Sequence, residues 1–192
     1  EDTGTTQKFF WDASAESLGI GTDAPASKLH LQSTNSSVLK LETTSANTYP
    51  GINFINDAQR YDMQIDGSTD ALRIYDNTNS ASRFVLDTSG NVGIGVVPQT
   101  DWTATIDALQ IGPQSVFRAG DAAYTDATVM ATNVKQVSAT NKYIETGVAT
   151  EYIQQGGSHI WSCAASGSAN NNISFSEAMR IDPSGNLLVG QS

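Results

Sequence analysis

Apolar and polar positions alternate one by one along much of this chain. In Ser27–Gln32 (SKLHLQ), Leu29 and Leu31 fall on one side, with Lys28, His30 and Gln32 on the other. Val38–Thr43 (VLKLET) repeats the pattern with Leu39 and Leu41. Gly51–Asp57 carries Ile52 and Phe54, Tyr61–Gly67 carries Met63 and Ile65, and Ala71–Asn77 carries Leu72 and Ile74. Period two is the signature of a strand with one face covered, and clusters of Gly, Asn, Asp and Ser bound each run. Apolar residues nowhere recur at helical spacing over three turns. The one helical candidate is Thr125–Val137.

A longer repeat lies over this alternation. Phe84–Pro98 (FVLDTSGNVGIGVVP) and Ala178–Gly190 (AMRIDPSGNLLVG) share one plan, and Lys8–Pro25 (KFFWDASAESLGIGTDAP) is a looser copy. Leu18, Val92 and Leu187 align. So do Gly21, Gly95 and Gly190, and so do Asp12, Asp87 and Asp182, with one extra residue in the first copy. Pro183 suits the second position of a type I turn, because its ring fixes φ near −65°. Gly90 and Gly185 suit the left-handed position of a three-residue hairpin loop. Gly19 and Gly93, in the second arms, allow another backbone to come close. Each copy is therefore a tight hairpin. The organisation read from this is a junction at 1–31, a β insert at 32–82, a junction at 83–112, a second insert at 113–176 and a junction at 177–192. The second insert reads as a small lobe with less regular strands.

Composition makes the core thin. Ile, Val and Thr number 44 against 10 Leu, which favours strands. Leu, Ile, Val and Phe total only 40 of 192 residues. That is near the level at which a chain struggles to bury enough apolar surface alone. A core shared between chains resolves the tension. The net charge of −10, with ten Lys and Arg, lacks the basic footprint of a nucleic-acid partner and opposes binding to an anionic membrane. No apolar run is long enough to span a bilayer. The single Cys163 excludes an intrachain disulfide and a cysteine-rich zinc site.

The two clear junction copies resemble the shaft repeats of bacteriophage tail fibres and related trimeric virion fibres. The stretch from Lys142 to Gly190 resembles an insert common in such fibres. The resemblance implies an all-β fold: an elongated, intertwined homotrimer of short hairpins with small β lobes. It implies a structural, non-enzymatic segment of a tail or head fibre, located on the virion and involved in attachment to the host surface. Its partners would be two further copies, other tail or baseplate proteins, and a glycan of the host. Such fibres often end in a chaperone domain that cuts itself off after a serine, which makes Ser192 a candidate mature end. A boundary set by how the chain was produced is the plainer reading. A glycan-degrading spike and a non-viral trimeric adhesin are the alternatives.

Candidate chemistry is sparse. Glu145 and Glu151 are the nearest approach to the carboxylate pair of a glycosidase. His159 and Cys163 stand four apart, and strand alternation would set His159, Trp161 and Cys163 on one face; two such residues do not make a metal site. Copies of His30 or His159 around a threefold axis are the other route to an ion. Neither a catalytic residue, a metal site nor a cofactor is expected. The glycine-rich stretches lack the lysine and the following helix of a phosphate loop. Tyr143, Tyr152 and Trp161, among Asn, Gln and Ser, are the candidate glycan contacts, since sugar rings stack on aromatic faces. The competing role for these three rings is the core of the lobe.

Overall fold

Short alternating runs become strands only where they find neighbours. The computed structural model describes residues 8–35, 39–103, 106–119 and 126–190. Among these residues there are seventeen strands and no helix, so the fold is all-β. The chain falls into two units, Glu1–Glu42 and Thr43–Ser192.

In the first unit, β1 (Phe9–Asp12) and β2 (Ser17–Ile20) form an antiparallel hairpin, and β3 (Leu29–Leu31) runs parallel to β2. The second unit opens with β4 (Gly51–Ile55), β5 (Arg60–Ile65), β6 (Leu72–Asp76) and β7 (Ala81–Leu86). It continues with β8 (Val92–Ile94), β9 (Ala108–Ile111), β10 (Ser115–Ala119) and β11 (Thr128–Thr132). After these come β12 (Val134–Val137), β13 (Thr140–Tyr143), β14 (Gly147–Gln155), β15 (Ser158–Gly167), β16 (Ser176–Ile181) and β17 (Leu187–Val189). All but β12 and β13 join one twelve-stranded sheet running from β17 at one edge to β4 at the other. Every pairing in it is antiparallel except β8 with β9. β12 and β13 form a separate two-stranded ribbon.

The junction hairpins are β1–β2, β7–β8 and β16–β17. In the latter two, an aspartate organises the turn. Asp87 Oδ1 accepts from the Ser89 and Asn91 amides, and Asp182 Oδ1 does the same for Ser184 and Asn186. Gly90 and Gly185 take φ values of 94° and 85°, which L side chains rarely adopt. A Cβ on Gly93 would lie 2.2 Å from the Val96 carbonyl oxygen. The backbone that comes close at this glycine belongs to its own chain. Even so, Ile94 remains 40 % exposed.

The two faces of the sheet differ sharply. Over β9 to β15, one face is covered by chain from the same unit. Ala127, Val129, Ala131, Val134, Tyr143, Ala149, Ile153 and Ala164 form one cluster there, with Ile173 and Phe175 against it. Trp102, Ile106, Ala108, Val116 and Ile144 form another. Over β4 to β7, the equivalent face is polar and satisfies itself. Asp62 is 1 % exposed and accepts from Asn53, Arg60 and Asn77. Arg73 pairs with Asp66 and stacks 4.3 Å over the Tyr75 ring.

The opposite face is apolar and open. Register carries one file of side chains across it: Leu109, Phe117, Met130, Tyr152, Trp161 and Met179, ending at Val189. A second file runs Ile52, Met63, Ile74, Phe84, Ile94, Ile111. Met63 and Ile74 are about two-fifths exposed, Phe117 is 47 % and Met130 is 54 % exposed.

Two expectations are corrected. The helical candidate Thr125–Val137 holds no helix over its described part: β11 and β12 cover most of it, and Thr125 lies outside the described residues. The reason is alternation, with Ala127, Val129 and Ala131 inward and Met130 outward, broken at Asn133 by a φ of 62°. The expected strand Val38–Thr43 does not form over its described part, Leu39–Thr43, which pairs with no neighbour; Leu39 and Leu41 stay exposed. The second insert combines long strands with irregularity, since β12 and β13 stand outside the main sheet. Its β14 and β15, at nine and ten residues, are the longest strands, though register shifts fall beside Gly147 and Trp161. Ser192 also lies outside the described residues.

Candidate functional site

A concavity lies on the open apolar face, and a two-glycine turn places two of its rings. Gly156 and Gly157, with φ of 55° and 77°, reverse the chain between β14 and β15, a conformation that two-residue hairpin loops require. That turn sets Tyr152 opposite Trp161 and Gln154 opposite His159. The Tyr152 and Trp161 rings approach to 4.9 Å between centroids with a tilt of 32°. His159 stacks beside both, 6.0 Å from Tyr152 and 6.5 Å from Trp161. The Tyr152 hydroxyl is hydrogen-bonded to His159 Nδ1, and Gln154 Nε2 donates to that hydroxyl at 3.1 Å. With Ile111, Phe117 and Met130 the Tyr152 and Trp161 rings line a depression of about 560 Å³. Its lining is mainly apolar, and His159 lies outside it, beside a second, polar depression with Gln154 and Ser158.

Tyr143 does not join this group. It lies on the covered face, 5 % exposed, with its hydroxyl donating to the Ala165 carbonyl at 2.5 Å. Its ring fills the space beside Gly167, where an added Cβ would meet ring carbon at 2.2 Å. So the expected trio divides: Tyr143 is core, while Tyr152 and Trp161 stand on the open face. Phe117 and Met130 were missed by sequence reading. Their signal was there, as the outward members of alternating strands, but neither carries a group that suggests chemistry.

The two glutamates occupy different settings. Glu145 is exposed and accepts from Gln114 Nε2 at 2.7 Å. Glu151 is 7 % exposed on the covered face, and its Oε2 has no hydrogen-bond partner among the described residues. Burial pushes its carboxyl up to about 7, against the pull of the nearby Arg118 guanidinium. Arg118 itself donates to Asn141 Oδ1 at 3.2 Å and to the Ala119 carbonyl at 3.3 Å.

Cys163 is exposed and unpaired by any disulfide; it sits opposite Thr150 on the face that carries His159 and Trp161. No cluster of three or more His, Cys, Asp or Glu suited to a metal occurs among the described residues. His30, in the first unit, accepts from the Ala26 amide through Nδ1 at 3.2 Å. No helix among the described residues is long and apolar enough to cross a membrane. No protein-family model matches the chain, and no curated protein is found similar to it.

Proposed function

We propose that this chain is a structural segment of a bacteriophage tail or head fibre that assembles as an elongated homotrimer. The observation that carries the reading is the open apolar face of the twelve-stranded sheet. An antiparallel sheet ordinarily turns its apolar side to the core and its polar side to water. Here the polar side over β4 to β7 is already knit by Arg–Asp pairs, and the apolar side has no cover among the described residues. Two continuous files of aliphatic and aromatic residues are far more than the scattered exposed hydrophobics of a monomeric surface. The same face on identical copies is self-complementary by chemistry, since apolar meets apolar. The number three comes from the resemblance of the junction repeats to trimeric virion fibres. Attachment to the host surface and contact with tail or baseplate proteins belong to the same reading. In the trimer Tyr152 and Trp161 face the neighbouring copies, which assigns any glycan contact to other residues.

Sedimentation equilibrium at micromolar concentration tests the proposal. The expected mass is three times the 20.3 kDa of the chain. Met130→Asp sets a charge in the middle of the apolar file and is expected to dissociate the assembly. Ala58→Asp, in the exposed turn between β4 and β5, is expected to leave it intact. A wild-type monomer with a sharp thermal transition, or a Met130→Asp variant that keeps the trimeric mass, would overturn the proposal.

A further inference from the structure

The three junction hairpins share a hydrogen-bond plan, and among the described residues the third is without its last component. In the first, β3 runs parallel to β2: the Leu18 amide donates to the Lys28 carbonyl at 2.8 Å and the Gln32 amide to the Ile20 carbonyl at 2.9 Å. In the second, β9 runs parallel to β8, and the Gly112 amide donates to the Ile94 carbonyl at 2.9 Å. The strands that do this read Leu29-His30-Leu31 and Leu109-Gln110-Ile111, both aliphatic–polar–aliphatic.

The third hairpin, β16–β17, matches the others up to that point. Gly190 donates to the Ala178 carbonyl at 3.0 Å, as Gly95 does to Arg83 at 2.9 Å and Gly21 to Lys8 at 3.0 Å. The φ values of these glycines are 66°, 68° and 79°. Yet β17 is the edge of its sheet, and among the described residues nothing pairs with its outer side. Leu187 and Val189 are 62 % and 65 % exposed.

A side-chain acceptor is also in place. Asp87 Oδ2 holds Asn91 Nδ2 at 2.9 Å, and Asn91 Oδ1 then accepts from the Ala108 amide, the first of β9, at 3.0 Å. Asn91 is 2 % exposed beneath that strand. Asp182 Oδ2 holds Asn186 Nδ2 at the same 2.9 Å, but Asn186 is exposed. The acceptor is built and has no strand over it.

We infer that the outer edge of β17 is an acceptor site for a further β-strand, parallel to it and of aliphatic–polar–aliphatic sequence. Its occupant is the extended polypeptide segment that lies next along the fibre. The source of the strand rests on the fibre reading above; the chemistry of the edge does not. In a parallel ladder the outward amides and carbonyls of alternate residues bond to the neighbour. The incoming strand therefore takes the Leu187 and Val189 amides on its carbonyls. Its first amide donates to Asn186 Oδ1, and the amide four residues on donates to the Val189 carbonyl. Its two aliphatic side chains fall beside Leu187 and Val189 on the apolar face. An unpaired edge of this kind invites strand addition.

The test uses the full chain and a synthetic hexapeptide with the sequence of Asp107–Gly112. Backbone amide exchange is followed by NMR as peptide is added. Binding is expected to saturate at one peptide per chain and to slow exchange at Leu187 and Val189 at least tenfold. A peptide with Asp at both aliphatic positions is expected to give no protection. Asn186→Ala, at an exposed turn position, is expected to weaken binding about fivefold, the worth of one hydrogen bond. No protection at Leu187 and Val189 with millimolar peptide, equal protection by the charged peptide, or unchanged affinity in Asn186→Ala would overturn the inference. Sedimentation of the same sample reads the trimer separately, so failure of one is distinguishable from failure of the other.

Discussion

A carboxylate with 7 % exposure and one oxygen unpartnered is an expensive thing to keep charged, and Glu151 meets that cost by holding its proton. Its carboxyl is pushed up to about 7 from an ordinary 4.5 by burial, with Arg118 opposing. Because the folded value is raised, the folded lobe binds a proton that the unfolded chain has already lost. The stabilisation is present below pH 4.5 and is lost as pH rises toward 7 and beyond. At about 1.4 kcal/mol per pH unit the displacement is worth about 3 kcal/mol. Other carboxylates move the opposite way. Burial alone would raise Asp76, but Arg83 and Asn79 outweigh it and hold it at about 2; Asp62 is lowered chiefly by Arg60. Their contributions are lost only as pH falls below about 4, outside the interval from 5 to 8, and within that interval the comparison with Glu151→Gln singles out Glu151 from the two histidines of the chain. Calorimetry is expected to show a melting temperature about 5–10 °C lower at pH 8 than at pH 5. Glu151→Gln is expected to flatten that slope. A wild-type profile that rises from pH 5 to 8 would show that the proton is not held.

Within the junction hairpins, two neighbouring glycines have separate jobs, and substitution separates them. Gly93 is needed for space: an added Cβ meets the Val96 carbonyl oxygen at 2.2 Å and the Pro98 ring at 2.9 Å. Gly95 is needed for conformation: its φ is 68° and nothing lies within 4 Å of an added Cβ. Gly93→Ala is expected to destabilise the fold by about 2 kcal/mol or more, since backbone must shift. Gly95→Asn is expected to cost less than about 1 kcal/mol, since Asn tolerates the left-handed region. Denaturant unfolding of both variants checks the contrast; equal losses would refute it. The sequence carried these turns well, because Asp, Gly and Pro at fixed offsets have local physical meaning. Alternation likewise located β3 to β6 within a residue or two. It did not carry pairing. Leu39–Thr43 alternates as cleanly as Ser27–Gln32, yet only the latter finds a neighbour. The candidate rings show the same limit: Tyr143, Tyr152 and Trp161 share a composition, and only register sends one into the core and two to the open face.

For the molecule as a whole, the unresolved quantity in the sequence was which side of the sheet is covered and by what. Period two marks an apolar face without saying whether the cover comes from the same chain. The structure divides the answer, since β9 to β15 have cover from their own unit on one face while the apolar files on the other have none among the described residues. Cys163 offers a native reporter of that second face. Register places it opposite Thr150, in line with Thr132 and Ser115 and finally Ile111. The thiol is exposed in the single chain. If three copies close over the apolar files, a thiol reagent too large to enter the interface is expected to react at least tenfold more slowly with the assembled protein than with the Met130→Asp variant. Under denaturant both should react fully and at one rate. The comparison separates burial between copies from any slow intrinsic chemistry of the thiol, because register pairs Cys163 with Thr150 and Ser176 and pairs Met130 with Tyr152, so the substitution replaces no cross-strand partner of the thiol. Rapid and equal labelling of both native samples would mean that this part of the face stays open to water, and an assembly built on it would have to be abandoned.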